Sequence, residues 1–316
     1  MRQIVIGVDV GGTTVKFGCF TTDADMIAQW SIPTCQVDDP NVLLSDISNS
    51  ITEHLTVAGD SAEQLLGVGF TVPGPVTVDG YVERCVNLKS WNDFYPAERL
   101  SEMLGGVKTK IINDANAAAL GEVWKGSGKA YKDAFFITLG TGVGGAAICD
   151  GKILVGHHGL VAEIGHIQVR EDEQDKCNCG GKGHLDQIAS ASGIVKEANR
   201  ALAAEDIHSA LRSIPNFTSK DVFDCAHSGD EIAQKAVDTA TKYLGKAIAM
   251  ACMLLDPEVI IIGGGVSSAG QYLVDKVDHY YREYETLSEH RAAILIATLG
   301  GDAGIYGAAK YLLDNL

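Results

Sequence analysis

The hydrophobic residues of the chain fall into short continuous runs that alternate with segments of helical periodicity. The first two runs, 4–10 and 14–20, flank a pair of glycines and predict a hairpin of two strands. The runs 65–72 and 108–114 predict two further strands, and the second leads directly into a predicted helix with the sequence ANAAALGEVWKG. Because strands and helices alternate, the pattern indicates an α/β protein.

The opening pattern returns near the middle of the chain, where residues 134–151 again read as strand, glycine turn and strand. This weak internal duplication predicts two units that each begin with a hairpin. Farther on, apolar residues spaced three or four positions apart predict one long amphipathic helix over 230–255. A buried strand (EVIII), three glycines and another helix from about Ala269 are predicted to follow.

Composition and charge exclude several classes of function. The chain has 316 residues, 46% of them hydrophobic, and a formal net charge of -16. That charge argues against nucleic acid or an anionic membrane as the main partner, because both attract clustered Lys and Arg. A phosphate group would have to be bound locally, by backbone amides, a metal ion or single lysines. No apolar run has the length of a signal-peptide core at the N-terminus or of a membrane span, so we expect a cytoplasmic protein.

The motif DVGGTTVK predicts a phosphate-binding turn. It places Asp9 at the end of a buried strand, two glycines in the turn, and the donors Thr13, Thr14 and Lys16 just beyond. Glycines let backbone N–H groups approach phosphate oxygens closely. The structural alternative is an ordinary hairpin whose glycines only supply positive φ. We favour the phosphate site, because a carboxylate that ends an apolar strand is costly to desolvate without a role.

The motif TLGTGVGG has glycines at the G-x-G-x-x-G spacing of a dinucleotide-binding fingerprint. That fingerprint requires a helix after the glycines, whereas a strand-like segment follows here, so a Rossmann site is not predicted. A second phosphate-facing hairpin turn accounts for the pattern better. The motif IIGGGV lies between a predicted strand and a predicted helix and can direct backbone amides at a nucleotide, although any doubly wound sheet uses such turns.

The motif INDAN puts Asn113 and Asp114 at a predicted junction between strand and helix. Two interpretations of Asp114 stay open at this point. It caps the helix, or it acts as a general base at the carboxyl end of a strand, where ligands gather in open α/β sheets.

The motif CNCGGKGH contains a candidate metal site. Cys177 and Cys179 are the only close pair among the eight cysteines, His184 follows them, and His166 precedes them by eleven residues. Two thiolates and two imidazoles suit a structural zinc site, although the C-x-C spacing is tighter than the common C-x2-C. The other cysteines fit reduced, mostly buried thiols.

Eight motifs follow the order seen in the ROK family of bacterial sugar kinases: DVGGTTVK, VPGPV, VNLKSW, INDAN, TLGTGVGGAAICDGK, AEIGH, CNCGGKGH and GDAGIYGAA. The chain resembles this family over nearly its whole length, and most resembles its glucokinases. The resemblance implies the actin, Hsp70 and hexokinase type of fold (ribonuclease H-like), in which two α/β lobes close over ATP and a hexose. We expect a smaller lobe from residues 1–115 plus 303–316, and a larger lobe from residues 116–302 that carries the zinc loop and the nucleotide turns.

The resemblance also implies roles for individual residues. The first phosphate loop would contain Asp9, Gly11, Gly12, Thr13 and Lys16, and the second Thr138, Gly140, Thr141 and Gly142. The adenosine would lie near Gly263, Gly264 and Gly265. The sugar would be bound by the backbone around Gly74 and by Asn87, Asn113, Glu163 and His166, while Asp114 takes the proton from its hydroxyl.

The chain departs from the family at two positions of the cysteine motif, which commonly reads C-x-C-G-x-x-G-C-L-E. His184 replaces the third cysteine and is also a competent zinc ligand. We therefore expect a structural Zn2+ held by His166, Cys177, Cys179 and His184, which would turn His166 and Glu163 toward the sugar. Asp186 replaces the glutamate and is one methylene shorter, so we expect it to contact the sugar through water or to leave room for a different substituent.

These observations predict an ATP-dependent kinase that phosphorylates the 6-hydroxyl of a hexose, with glucose as the first candidate. Asp114 would be the base, and Asp9 the protein group near Mg2+. Asp186 keeps a second hypothesis open, a kinase of N-acetylmannosamine or N-acetylglucosamine.

Two further classes are remote. A sugar-responsive regulator would need a DNA-binding segment ahead of the strand that begins at Ile4. A sugar-binding protein without activity would leave Asp114 and both phosphate turns unexplained. The resemblance further implies a homodimer.

Overall fold

The computed structural model describes residues 3–35, 37–60, 62–85 and 88–316. The chain divides into two compact units. The first contains Met1–Ala130, Gly151–Val161 and Leu299–Leu316, and the second contains Tyr131–Asp150 and Ala162–Thr298.

The described residues form strands and helices in alternation. In chain order the strands are β1 (Ile4–Val10), β2 (Thr14–Thr21), β3 (Met26–Pro33), β4 (Leu65–Val72), β5 (Thr109–Asn113), β6 (Ala134–Leu139), β7 (Val143–Cys149), β8 (Lys152–Ile153), β9 (Val259–Gly263) and β10 (Ala293–Ile296). The α-helices are α1 (Pro40–Ala58), α2 (Pro96–Met103), α3 (Asp114–Trp124), α4 (Asp186–Ala189), α5 (Ala191–Ala204), α6 (Ser219–His227), α7 (Glu231–Leu255), α8 (Gly270–Tyr284) and α9 (Ala303–Asp314).

The first unit is built on a sheet of order β3-β2-β1-β4-β5. Strands β1, β4 and β5 run parallel, whereas β2 and β3 continue the sheet as an antiparallel meander. Central strand β1 is nearly all apolar because residues on both of its faces are buried. The carboxyl ends of β1, β4 and β5 therefore meet at one edge of the sheet, which is where open α/β sheets bind ligands.

In the second unit the strands lie in the order β10-β9-β6-β7. Strands β10, β9 and β6 are parallel, and β7 returns antiparallel beside β6. All five residues of β9 are buried, as the continuous apolar run EVIII predicts. The carboxyl ends of β6 and β9 thus lie next to each other.

Helices α3 and α9 contact each other through their backbones. A Cβ atom built on Gly121 would lie 2.3 Å from the Ala303 carbonyl oxygen, and one built on Gly307 would lie 1.6 Å from the Ala117 oxygen. Only glycine permits this approach, so α3 is held in the first unit. The first unit consequently extends past the predicted limit at residue 115, to residue 130.

Most of the elements predicted from the hydrophobic pattern are present. The runs 4–10 and 65–72 are β1 and β4, and the long helix is α7, with Asp230 as its N-cap. The run 108–114 is β5, which ends at Asn113 because Asp114 already begins α3. The pattern did not predict β3, whose side chains alternate between partly buried and exposed. Within the described residues, no helix combines the length and apolar character required to span a bilayer.

Candidate active site

Asp9 lies at the carboxyl edge of the first sheet, and Thr71 on the neighbouring strand holds it in place. The Thr71 hydroxyl donates to Asp9 Oδ1 at 2.6 Å and accepts the Val10 N–H at 3.2 Å. Burial raises the pKa of the Asp9 carboxyl, and the Thr71 hydrogen bond and the charge of Lys16 partly oppose this shift. Nothing in the sequence around Thr71 points to this partner, because a single threonine inside the apolar run 65–72 is typical of any buried strand.

Lys16 and the start of α9 complete the surroundings of Asp9. Lys16 stands directly opposite Asp9 in the β1–β2 ladder, and its Nζ donates to the Gly301 carbonyl oxygen at 2.9 Å. A Cβ atom on Gly304 would lie 2.7 Å from Asp9 Cγ. Gly304 therefore lets the first turn of α9 approach this carboxylate, a role that the sequence pattern did not predict.

The first glycine turn does not depend on left-handed backbone. Neither Gly11 nor Gly12 has a positive φ, so the structural alternative in which they merely supply that conformation is wrong. The turn is held by the Gly11 N–H, which donates to the Thr14 oxygen at 3.1 Å, and by Thr34. The Thr34 hydroxyl donates to the Gly11 oxygen at 2.7 Å, and its N–H donates to the Thr13 oxygen at 3.0 Å.

Asn113, and not Asp114, caps α3. The Asn113 side-chain oxygen accepts the Asn116 N–H at 3.0 Å, and its backbone has the extended conformation of an N-cap. Asp114 is the first residue of the helix and is exposed. Its Oδ1 accepts from the Asn113 Nδ2 at 3.0 Å and from the Ala115 N–H at 2.8 Å. The helix-cap interpretation of Asp114 is therefore replaced by one in which Asn113 both caps the helix and orients the carboxylate.

The backbone at Gly74 is tied to the same asparagine. The Gly74 carbonyl oxygen accepts from Asn113 Nδ2 at 3.0 Å. Gly74 has a φ of 132°, and a Cβ atom there would lie 2.4 Å from the Arg84 oxygen. The loop thus needs glycine at this position. Asn87, the other predicted sugar ligand of this region, lies outside the described residues.

The second glycine turn connects β6 to β7 and lies beside the triple glycine. The Gly140 N–H donates to the Gly142 oxygen at 2.9 Å, and Thr138 pairs with Gly263 in the parallel β6–β9 ladder. Gly264 has a φ of 83°, and a Cβ atom on it would lie 2.5 Å from the Leu139 oxygen. The structure therefore brings together two of the three glycine motifs that the sequence analysis connected with the nucleotide, TLGTGVGG and IIGGGV.

Glu163 and His166 are positioned by close packing against β7. Glu163 precedes a single 3-10 turn that ends at His166. A Cβ atom on Gly165 would lie 2.0 Å from the Val143 oxygen, so the turn lies directly on the strand. Burial raises the pKa of the Glu163 carboxyl, and the nearby His166 opposes that shift.

The four predicted metal ligands form one cluster. Their ligand atoms, from His166, Cys177, Cys179 and His184, all lie within 4.8 Å of one another. Cys179 Sγ is 3.3 Å from His184 Nδ1. Burial, and then the neighbouring His166, lowers the pKa of His184 and favours the neutral imidazole that can bind a metal.

Asp186 lies next to the second glycine turn. Its Oδ1 accepts the Val143 N–H at 2.7 Å. Its predicted contact with a sugar stays a prediction. The predicted sugar ligands are divided between the two units, with Gly74, Asn113 and Asp114 in the first and Glu163, His166 and Asp186 in the second.

Comparison with known proteins identifies the family. The ROK family pattern matches residues 5–315, and the chain belongs to this family. A glucokinase from Halalkalibacterium halodurans is 39% identical over 96% of this chain and 92% of its own length. An N-acetyl-D-glucosamine kinase from Histophilus somni is 29% identical over 98% of this chain and 99% of its own.

Solved structures agree with the family assignment. A ROK family glucokinase from Streptomyces griseus, in complex with glucose and AMPPNP, is 29% identical and has a TM-score of 0.76 over 98% of both chains. The predicted two-unit α/β fold of the actin and hexokinase type is therefore confirmed.

Proposed function

We propose that the protein is a sugar kinase that transfers the γ-phosphate of ATP to the 6-hydroxyl of glucose. The relative named glucokinase, 39% identical over nearly the full length, supports glucose as acceptor. The glucose and AMPPNP complex of the Streptomyces griseus relative supports this pair of substrates. The observation that carries the proposal is the exposed carboxylate of Asp114, which stands at the carboxyl end of β5 in the first turn of α3.

In this proposal Asp114 is the general base. Hydrogen bonds from Asn113 and Ala115 fix the direction of the carboxylate before the substrate arrives. Asp114 takes the proton of the 6-hydroxyl as that oxygen bonds to the γ-phosphorus. The bond from the γ-phosphorus to the oxygen shared with the β-phosphate breaks at the same time, and ADP leaves.

The two glycine turns and Lys16 would bind the phosphates of ATP. Glycine gives their backbone N–H groups close access to phosphate oxygens, and Lys16 adds a positive charge to an acidic protein. A Mg2+ ion held near Asp9 would neutralise the phosphate oxygens. The surroundings of Asp9 fit such an ion, because burial disfavours the ionised carboxylate and a bound cation would stabilise it.

We further propose that the Cys/His cluster holds a structural Zn2+ ion. Zinc binds sulfur at about 2.3 Å and nitrogen at about 2.0–2.1 Å, so tetrahedral ligand atoms lie roughly 3.3–3.8 Å apart. The four ligand atoms of the cluster are already within 4.8 Å of one another, so small side-chain movements suffice. The ion would fix His166 and the turn that follows Glu163. The side chains of both residues would then be held in place to form hydrogen bonds with the sugar hydroxyls.

A coupled assay of ADP release over a panel of sugars tests the proposal. We expect the highest kcat/KM with glucose, compared with mannose, fructose, allose and the N-acetylhexosamines. The Histophilus somni relative makes N-acetylglucosamine the competing acceptor, and a preference for it would replace glucose in the proposal. Absence of ADP release with every sugar, by protein that binds an ATP analogue, would overturn the kinase activity itself.

A further inference from the structure

The carboxylate of Asp186 contacts the second glycine turn at Gly142 and Val143. Its Oδ1 accepts the N–H of Val143 at 2.7 Å. A Cβ atom built on Gly142 would lie 2.7 Å from the same oxygen, so this contact requires glycine at residue 142. The carboxylate therefore occupies the space that a side chain on the turn would need.

The residues after Asp186 hold the other end of the same turn. The Ala191 N–H donates to the Gly140 oxygen at 2.9 Å, and the Ser192 hydroxyl lies 3.2 Å from the Thr141 oxygen. The segment that makes these bonds is itself ordered, because the Ser190 hydroxyl donates to the Asp186 carbonyl oxygen at 2.6 Å and accepts the Gly193 N–H that starts α5. Backbone atoms of Gly140, Thr141 and Val143 are thus bonded to one short segment, 186–192.

We propose that Asp186 is a positioning residue for the nucleotide, acting through the second glycine turn. A phosphate-binding turn contributes affinity only if its N–H groups are already aimed when the ligand arrives, and Asp186 fixes one end of the turn from a separate part of the chain. The inference rests on the proposed binding of ATP by this turn.

Three substitutions separate the positioning role from sugar binding. Asp186→Ala removes the acceptor and should raise the KM for ATP about tenfold while the KM for glucose stays within about twofold, since a hydrogen bond to a charged group is at stake. Asp186→Asn keeps an acceptor oxygen and should restore most of the ATP affinity. Asp206→Ala, at an exposed aspartate of the same unit, is the matched control and should change neither constant.

A rise in the KM for glucose in both Asp186 variants, without a change for ATP, would overturn the inference and make Asp186 a sugar ligand. Direct binding of AMPPNP in the absence of sugar keeps the test independent of turnover. If the wild type binds AMPPNP but phosphorylates no sugar, the proposed function fails while the positioning role can still be measured.

A double substitution distinguishes a loss of this specific contact from a general loss of folding. Gly142→Ala places a methyl group against the Asp186 carboxylate and should weaken AMPPNP binding at least tenfold by displacing the turn. In an Asp186→Ala background that clash is gone, so the double variant should bind no more weakly than Gly142→Ala alone. Strictly additive losses would show that the two residues act separately and would contradict the inference.

Discussion

Asp9, Asp114 and Lys16 bring three ionisable side chains to the carboxyl edge of the first sheet. In the second sheet β6 ends with Thr138 and Leu139, and β9 ends at Gly263. The two glycine turns look alike in sequence, but different parts of the chain hold them. Thr34, which follows β3 of the same sheet, donates hydrogen bonds to the first turn. The second is bonded by Asp186, which comes 43 residues after Val143.

This difference indicates a division of tasks between the two edges. Charges are needed where a proton and a metal ion have to be handled, and they are expensive to bury. Neutral backbone donors are sufficient where a phosphate only has to be positioned. Substitutions of the two carboxylates at the first edge should therefore act mainly on the rate of transfer, whereas substitutions of Lys16 and of the second turn should act mainly on the affinity for ATP.

The largest effect is expected at the first edge, for Asp114→Asn. The amide preserves the shape of the side chain but cannot accept the proton, so kcat should fall roughly 10²- to 10⁴-fold. Glucose binding, measured by calorimetry, should stay within about threefold of wild type. Asp206→Asn is the control, and turnover of Asp114→Asn within about threefold of wild type would remove Asp114 from the role of base.

Asp9→Asn should separate activity from stability. We expect a fall of at least about tenfold in kcat, because an amide holds Mg2+ poorly. Burial raises the folded-state pKa of Asp9, so its protonation contributes stability that is fully present below the ordinary pKa of 3.8 and is lost as the pH rises through the folded-state value. Asparagine does not titrate, and Thr71 can still donate to it.

The Asp9→Asn variant should consequently have a higher Tm than the wild type at pH 7, and the difference should vanish as the pH falls below 3.8. Differential scanning calorimetry at several pH values measures this directly. A lower Tm at pH 7 would mean that attraction to Lys16 outweighs the cost of burial.

Lys16→Ala should have a smaller effect, confined to the nucleotide. Removal of one positive charge from a phosphate site is expected to raise the KM for ATP about tenfold, while the Kd for glucose without nucleotide barely changes. Lys220→Ala, at an exposed lysine of α6, serves as the control. If both constants change equally, the bond from Lys16 to the Gly301 oxygen supports the packing of α9 and has no direct role in binding ATP.

The smallest kinetic effect is expected at the Cys/His cluster. Purified protein should contain about one zinc ion per chain by elemental analysis, and His184→Ala should lower that occupancy sharply, because three ligands leave one position to water. His184→Cys should retain the ion. Loss of zinc should weaken glucose binding several-fold, and ATP binding less, since His166 is itself a ligand whereas Asp186 is held by its own bonds. Metal-free protein with full sugar affinity would show that the loop 177–184 does not need a metal ion to support sugar binding.

The sequence predicted elements whose signal is local. Continuous apolar runs identified β1, β4 and β9, and three-to-four spacing identified α7. The same reasoning could not recover β3, because alternate side chains of an edge strand meet solvent and leave no apolar run. The boundary between the units could not be predicted from the sequence either, because it depends on the backbone contact between Gly121 of α3 and the start of α9.

Site residues show the same limit. The predicted metal ligands meet in one cluster because all four lie on one short stretch of chain. Thr71 and Asp186 act through contacts with residues 62 and 43 positions away, and nothing in their immediate neighbours indicates those partners. Asn113 caps the helix and the adjacent Asp114 does not. A sequence pattern does not locate a helix boundary to within one residue.

The contact between α3 and α9 also sets an order for assembly on the ribosome. The second unit is finished once residue 298 has been made, whereas the first unit still lacks Leu299–Leu316. Domains generally fold as units while the chain is being synthesised. The unit that is translated first is therefore completed last, and α3, which carries Asp114, gains the helix that Gly121 and Gly307 allow to pack against it only after residue 298 has been made.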